Sequence, residues 1–188
     1  MARPKSDDKR SAILAAAVRV IVTHGLGAPT ALIAREAGVA NGSLFTYFET
    51  KAALFNQLYL ELKAGMATAA LDGLPVGADL REQFAHVWSH WMRWAVGHPE
   101  QRRALALLGV SDEITPASHA AGHQTMTGIA ALMERARAQG AMRDAPFPLV
   151  AALMNAVAEA TMDFMVQDPT HADAHCTVGF DALWRMLS

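Results

Sequence analysis

The stretch of sequence that decides the fold is residues 30–51, which read TALIAREAGVANGSLFTYFETK. Apolar residues at helical spacing predict one short helix over about 30–37 and a second over about 41–48. Gly38 lies in the tight turn between them, and two short helices joined by such a turn are typical of a helix-turn-helix. The side chains that we expect to face inward are Leu32, Ile33, Ala37, Leu44, Phe45 and Phe48.

The outward face of the second short helix carries small or hydrogen-bonding residues. In a helix-turn-helix the second helix lies in the major groove of DNA, while the first helix crosses the DNA backbone. Gly42 allows a close approach of the protein backbone, and the neighbouring side chains can donate to or accept from bases and phosphates. The residues on this expected outward face are Asn41, Gly42, Ser43, Thr46 and Tyr47.

The segment Ala31–Leu54 resembles the DNA-binding domain of TetR-family transcriptional repressors. The family pattern is roughly Ile-Ala-x-x-Ala-Gly-Val-Ser-x-Gly-Thr-Leu-Tyr-x-His/Tyr-Phe-x-x-Lys-x-x-Leu, and most of its positions match. The resemblance covers about residues 7–60. The chain departs from the pattern where Pro29 replaces a threonine of many members, Ala40 replaces a serine or threonine, and Phe45 replaces a tyrosine.

The resemblance implies a homodimer that places one recognition helix per subunit in successive major grooves of a palindromic operator, about 34–36 Å apart. It also implies that Lys51 and the N-terminus of the following helix hold a phosphate. Four basic residues at the N-terminus would form an arm near the DNA, and the alternative is a solvated tail. These four are Arg3, Lys5, Lys9 and Arg10, and the other residues implied in DNA contact are Thr30, Asn41, Gly42, Ser43, Thr46, Tyr47 and Lys51.

Composition and charge narrow the class of protein. The chain has 188 residues, enough for one domain or one domain with a small appended module, and 38 of them are alanine, the strongest helix former. Its net charge of −2 hides a split. Residues 1–51 carry seven Lys and Arg against four Asp and Glu, whereas residues 52–188 carry nine against fourteen. This asymmetry favours a nucleic-acid-facing N-terminal end.

The sequence predicts a cytoplasmic protein. Cys176 is the only cysteine, which excludes an internal disulfide framework and a four-cysteine zinc site. We expect no signal peptide, because no apolar core follows the N-terminal charges. We also expect no membrane span, because Pro146–Val166, the closest candidate, is interrupted by Asn155, Glu159 and Asp163.

Helical periodicity along the chain predicts an all-α fold of about nine helices. The first helix is expected from Ser6 or Asp7 to His24, closed by Gly25, and Thr50 is expected to cap the fourth. The later helices are expected over about 79–96 and 100–109, from Thr115-Pro116 to Gln139, after Pro146 and Pro148 to about Gln167, and after Asp168-Pro169-Thr170 to about Leu187. We assign residues 1–51 to a DNA-binding domain, with helix four linking onward, and residues 52–188 to an effector-binding and dimerisation domain.

The larger domain holds nine of the ten methionines and all four tryptophans. Methionine-rich surfaces adapt to varied apolar ligands, so the family resemblance favours an effector pocket here, although ordinary core packing is the alternative. The candidate effector-binding residues are Trp88, Trp91, His90, His123, Met126, Met154 and Met162. No cofactor is predicted.

Three histidine pairs at i,i+4 spacing are more than chance predicts for this domain. Such a pair on a helix can bind zinc, but none has the H-E-x-x-H arrangement, so we predict no metal site and expect exposed or pocket-lining histidines. The pairs are His86/His90, His119/His123 and His171/His175. We also find no nucleophile elbow, phosphate-cradling glycine loop or acid pair, so an enzyme is the least favoured class.

The last two helices are expected to form the dimer interface, by resemblance, as a four-helix bundle; intramolecular core is the alternative. The candidate interface residues are Leu149, Leu153, Val157, Phe180, Leu183 and Trp184. The sequence thus favours a ligand-responsive repressor that is released from DNA by a small, mainly apolar or aromatic effector. The alternatives are a metal-responsive or ligand-independent regulator on the same fold.

Overall fold

The computed structural model describes residues 4–138 and 140–188. Every regular element in these two ranges is helical, which confirms the predicted all-α fold. The elements are α1 Pro4–His24, α2 Thr30–Glu36, α3 Asn41–Tyr47, α4 Lys51–Leu71, α5 Leu80–Gly97, α6 Pro99–Gly109, α7 Pro116–Gln124, α8 Thr127–Arg137, α9 Phe147–Gln167, a 3₁₀ turn at Pro169–His171, and α10 Ala172–Leu187.

The chain forms two compact units. Unit 1 contains the described residues up to Ala64 together with Pro99–Gln124, and unit 2 contains Gly65–His98 together with Thr125–Ser188. The helix α4 therefore begins in unit 1 and ends in unit 2. The division of function at residue 51 stays a prediction, since compactness does not test which residues bind DNA or an effector.

The core of unit 1 is built on α1, whose apolar stripe is buried as its spacing predicts. Ile13, Ala17 and Ile21 are almost fully inaccessible to solvent and pack in one cluster with apolar residues of α2, α3, α4 and α6. Gly25 ends α1 with a φ of +76°, the left-handed C-cap expected there, and its N–H donates to the Ile21 carbonyl at 2.9 Å. This scaffold carries the two short helices of the helix-turn-helix.

The core of unit 2 joins α5, α8, α9 and α10. On α5, Phe84, Trp88 and Met92 are buried, and the Trp88 indole N–H donates to the Cys176 carbonyl at 3.0 Å. Asp79 caps the start of α5, because its side chain accepts from the Glu82 N–H at 2.8 Å. The fifth predicted helix is therefore present with its expected boundaries.

Two expected helix boundaries are wrong. The chain has ten helices in its described part rather than nine, because the single helix expected over 115–139 is interrupted between Gln124 and Thr127. Two threonines and a glycine surround the break, and these residues have low helix propensity. Gln139, the expected end of that helix, lies outside the described residues, and α8 ends at Arg137. At the N-terminus, α1 begins at Pro4, two residues before Ser6.

The helix α9 is more apolar than expected. By length and composition it could cross a membrane, with a mean hydropathy of 1.5 over its best window, so its polar residues do not interrupt it as predicted. A core helix of a soluble protein passes the same test. In this chain Val150, Ala158 and Met162 of α9 are buried in the unit 2 core, and α9 packs along α10.

Candidate nucleic-acid interface

The turn between α2 and α3 has the geometry of a helix-turn-helix. Gly38 has a φ of +68°, a left-handed conformation that glycine adopts without strain. The N–H of Ala37 donates to the Ile33 carbonyl at 2.9 Å, and the N–H of Val39 donates to the Ala34 carbonyl at 2.9 Å. These bonds close α2 and set the direction of α3, which begins after the extended residue Ala40.

The helix α3 turns Leu44 and Phe48 into the unit 1 core and presents its other side to solvent. Asn41, Gly42 and Thr46 are exposed, as expected for residues that meet DNA. Ser43 and Tyr47 are half-buried, and Tyr47 packs against the core, so the expectation that it faces fully outward is wrong. Three of the five residues expected on the outward face of α3 are therefore exposed, and two are half-buried.

Phe45 was expected to face inward, and this is wrong, because its side chain is 42% exposed. Successive helical residues are about 100° apart, so the burial of Leu44 turns Phe45 away from the core. A large apolar side chain on the solvent side of the second helix is a feature that the sequence pattern missed. The outward neighbours Gly42 and Thr46 leave its ring accessible.

The basic residues of α1 and α2 differ in whether they form ion pairs and in how exposed they are. Arg10 forms an ion pair with Glu61 at 2.7 Å, so part of its charge is already satisfied. Arg19 is paired with Glu36 at 2.8 Å, which ties α1 to α2. Lys9 is exposed, and so is Arg35 on α2, which the sequence analysis did not select. Arg3 and the side chain of Lys5 lie outside the described residues.

Thr30 and Lys51 lie at helix starts. Thr30 is the first residue of α2 and is half-buried. Lys51 is the first residue of α4, where its ammonium lies 5.3 Å from the centre of the Phe55 ring. Thr50 caps α4 as predicted, since its hydroxyl oxygen accepts from the Ala53 N–H at 3.0 Å. Lys51 is thus held beside a capped helix start.

Comparison with known proteins shows which proteins this helix-turn-helix and the whole fold are similar to. Residues 13–58 match the family model of bacterial regulatory proteins of the tetR family. The chain is 26% identical to a TetR family transcription regulator from Marinobacter aquaeolei VT8, with a TM-score of 0.83 over 98% of each chain. It is 28% identical to a protein from Shewanella sp. PV-4 assigned to the same family, with a TM-score of 0.83 over 94% of this chain and 96% of that one.

The chain thus matches the tetR family model over its helix-turn-helix segment and shares the fold of TetR-family transcription regulators over nearly its whole length. The same fold occurs in FadR from Bacillus subtilis, whose structure was solved in complex with stearoyl-CoA. That chain is 18% identical, with a TM-score of 0.68 over 95% of this chain and 97% of the other. The matched segment, residues 13–58, contains the helix-turn-helix, which supports the prediction that this element binds DNA.

The predicted effector-binding residues differ in burial, and all but one of them lie in unit 2. Trp88, Met154 and Met162 are buried together in the unit 2 core. His90, Trp91 and Met126 are half-buried in the same unit, whereas His123 is exposed on α7 of unit 1. The structure thus brings most of these residues into one unit. An effector role for them stays a prediction.

The histidine pairs have different surroundings. The rings of His86 and His90 lie 3.9 Å apart, and His86 Nε2 is 2.7 Å from the Asp72 carbonyl oxygen. His171 and His175 both reach the Asp168 carboxylate, at 2.9 Å and 3.1 Å, and these bonds, the one from His175 foremost, lower the pKa of Asp168. No group of three ligating side chains suited to a metal ion occurs within residues 4–138 and 140–188.

The predicted interface residues range from buried in the core of unit 2 to exposed on its surface. Phe180 and Leu183 are buried within unit 2, and Trp184 is half-buried and stacks on Phe180 with 6.1 Å between ring centres. On α9, Leu149 is exposed, and Leu153 and Val157 are half-buried.

A shallow apolar groove of about 260 Å³ lies between α9 and α10. Two exposed residues that the sequence analysis did not select, Phe164 and Val178, line it together with Val157. Phe164 is 58% exposed and Val178 is 69% exposed. We call this surface the α9–α10 face.

Proposed function

We propose that the regulator is a cytoplasmic, ligand-responsive repressor that binds a palindromic operator as a homodimer and acts by binding rather than by catalysis. The observation that carries this proposal is the helix-turn-helix, whose α3 leaves Asn41, Gly42, Phe45 and Thr46 accessible on one side. Small and hydrogen-bonding residues on such a helix suit contact with base edges and phosphates.

The α9–α10 face supports the proposed homodimer. Monomeric soluble proteins seldom expose contiguous apolar side chains on neighbouring helices, and such patches mark interaction sites. On this face Phe164 is 58% exposed and Val178 is 69% exposed, although other apolar residues of α9 and α10 pack into the unit 2 core. A second copy of the same face would bury these side chains in a symmetric contact.

The proposed effector is a small, mainly apolar molecule. A protein of the same fold is seen with stearoyl-CoA, which carries a long acyl chain. In the regulator, unit 2 supplies half-buried Trp91 and Met126 beside a core rich in methionine. Effector binding lowers DNA affinity only if the effector binds two states of the dimer with different affinity. The helix α4, which starts at Lys51 and continues into unit 2, is the element through which we propose the two are coupled.

The proposal is tested by selecting genomic fragments on the purified regulator and footprinting those it retains. We expect a palindrome whose half-sites are about one helical turn, or a multiple of it, apart, with affinity that falls steeply as salt rises. Adding apolar and aromatic compounds should then release the operator and raise the melting temperature. Retention of DNA without sequence preference, or a repressor that no compound releases, would contradict the corresponding part of the proposal.

The exposed ring of Phe45 gives a prediction about sequence preference. A phenylalanine cannot donate a hydrogen bond to a phosphate, and the thymine methyl is the apolar group that the major groove displays. We expect replacement of the contacted thymine by deoxyuridine in both half-sites to weaken binding roughly 15-fold, about fourfold for each methyl group left unburied. Fluorescence anisotropy with single and paired substitutions measures this.

The variant Phe45→Ala tests whether the ring contacts the thymine methyl group or the deoxyribose sugar. It should lose the same affinity on the thymine operator but little on the deoxyuridine operator, whereas Phe45→Tyr, which keeps the ring, should retain the preference. Equal losses for Phe45→Ala on both operators would show that the ring does not read the methyl group. The wild-type protein binding its operator in the same assay keeps this result separate from a failure of DNA binding.

A further inference from the structure

A half-buried lysine lies over a buried tyrosine on α4. The Lys63 ammonium is 5.9 Å from the centre of the Tyr59 ring, near the limit at which a cation is attracted to a ring face. Tyr59 is only 2% exposed, so its ring is shielded from water, and Lys63 itself is half-buried. Burial lowers the pKa of the Lys63 ammonium, as expected when a charge loses solvent.

The helix α7 contacts the same tyrosine. The His119 ring meets the Tyr59 ring edge-on, with 5.3 Å between centres. At Gly122 the backbone of α7 comes so close that a Cβ there would lie 2.8 Å from Tyr59 Cε1 and 3.3 Å from its hydroxyl oxygen. One tyrosine ring is thus in contact with an ammonium from α4 and an imidazole from α7, both in unit 1.

These two basic groups have no carboxylate beside them in the part of the chain that the structure describes. The nearest acid along α4, Glu61, is paired with Arg10. The sequence of α7, PASHAAGHQ, contains no acid.

We infer that Lys63 and His119 bind an anionic group of the effector, a carboxylate or a phosphate at the end of an apolar body. A desolvated ammonium without a counter-charge is unfavourable, and a ligand anion supplies that charge together with strong hydrogen bonds. The buried Tyr59 ring fixes the positions of the two groups. This inference rests on the proposed effector-binding role and adds the chemical class of the ligand.

The test uses ligand pairs that share an apolar body and differ in charge: dodecanoate with dodecanol, and phenylacetate with phenylacetamide. Affinity, melting temperature and operator release are measured for the full-length wild type, Lys63→Met and Lys63→Arg.

We expect an anionic member of each pair to bind and stabilise the wild type, and its neutral partner to bind more weakly. Lys63→Met should lose about tenfold or more in affinity for the anion and little for the neutral compound. Lys63→Arg should keep the preference, because its charge is retained. Arg185→Met, which removes an exposed positive charge from α10, is the control and should behave as wild type.

A second measurement needs no ligand. If Lys63 is an unpaired, desolvated charge, Lys63→Met should melt at the same temperature as the ligand-free wild type or higher, since methionine fills similar space without a charge. A lower melting temperature, together with no preference for any anion, would show that Lys63 is structural and would overturn the inference. Release of the operator by neutral compounds at least as well as by anions would overturn it too, while leaving the effector role intact. Lysine-dependent anion binding without operator release would support the site and contradict the effector role.

Discussion

Replacing Val178 by glutamate should convert the proposed dimer into a monomer and weaken operator binding by on the order of 100-fold or more. Val178 is 69% exposed on α10 and lines the groove of the α9–α10 face, so the substitution leaves the core of unit 2 intact. In a symmetric contact the two glutamates would be buried near each other, and burying unpaired like charges is strongly unfavourable. Each freed subunit would then hold only one half-site.

The same change at a different exposed valine is the control. Val76 is 81% exposed in the segment between α4 and α5, outside the α9–α10 face, and Val76→Glu should remain dimeric with operator affinity close to that of the wild type. Light scattering gives the oligomeric state, anisotropy gives the affinity, and the melting temperature verifies that both variants fold. A Val178→Glu protein that stays dimeric and binds normally would place the dimer contact elsewhere.

The helix-turn-helix was predictable because its boundaries are set by local chemistry. Pro29 precedes α2, Gly38 adopts positive φ in the turn, and the Thr50 hydroxyl caps α4, so each boundary is specified by a residue whose preference needs no tertiary partner. The ends of α2 and α3 therefore agree with the sequence to within a residue.

The break between α7 and α8 was not predictable in the same way. A glycine or threonine inside a helical pattern costs only about 1 kcal/mol or less, so the sequence Thr125-Met126-Thr127-Gly128 is compatible with a continuous helix. Packing decides between the two. In the structure a Cβ built on Gly128 would lie 3.5 Å from Leu71 Cδ1. The periodicity of the sequence does not reveal this close approach.

An apolar stripe in a sequence also does not show which of its side chains the core buries. Leu183 and Val178 lie on one amphipathic helix, yet Leu183 is fully buried within its own unit and Val178 is exposed. Phe45 and Leu44 are adjacent apolar residues on α3, and the sequence does not say which of them the core accepts. In both places the answer depends on where neighbouring helices pack, so the sequence located the helices but not all of the side chains that the core buries.

Gly179→Ala should destabilise unit 2, although alanine is the better helix former. A Cβ built on Gly179 would overlap the Thr161 hydroxyl and lie 2.9 Å from its methyl carbon. Thr161 cannot easily move, because it is 7% exposed and its hydroxyl donates to the Val157 carbonyl at 2.7 Å. The helices α9 and α10 must therefore separate, and such overpacking typically costs about 1–3 kcal/mol of unfolding free energy. For a chain of this size that lowers the melting temperature by about 2–12 °C.

Two further variants make the Gly179 result specific to the α9–α10 contact. Gly65→Ala, on α4 where a Cβ meets nothing within 4 Å, should raise the unfolding free energy by about 0.5–1 kcal/mol through helix propensity alone. Combining Gly179→Ala with Thr161→Ala removes both overlapping atoms and should recover part of the loss. Calorimetry on the four proteins measures each effect. A Gly179→Ala variant as stable as Gly65→Ala would mean that α9 and α10 do not approach as closely as the structure places them.

Since Val178 precedes Gly179 on α10, separation of the helices should also widen the α9–α10 face. We therefore expect Gly179→Ala to weaken dimerisation and operator binding together, and both should recover in the double variant.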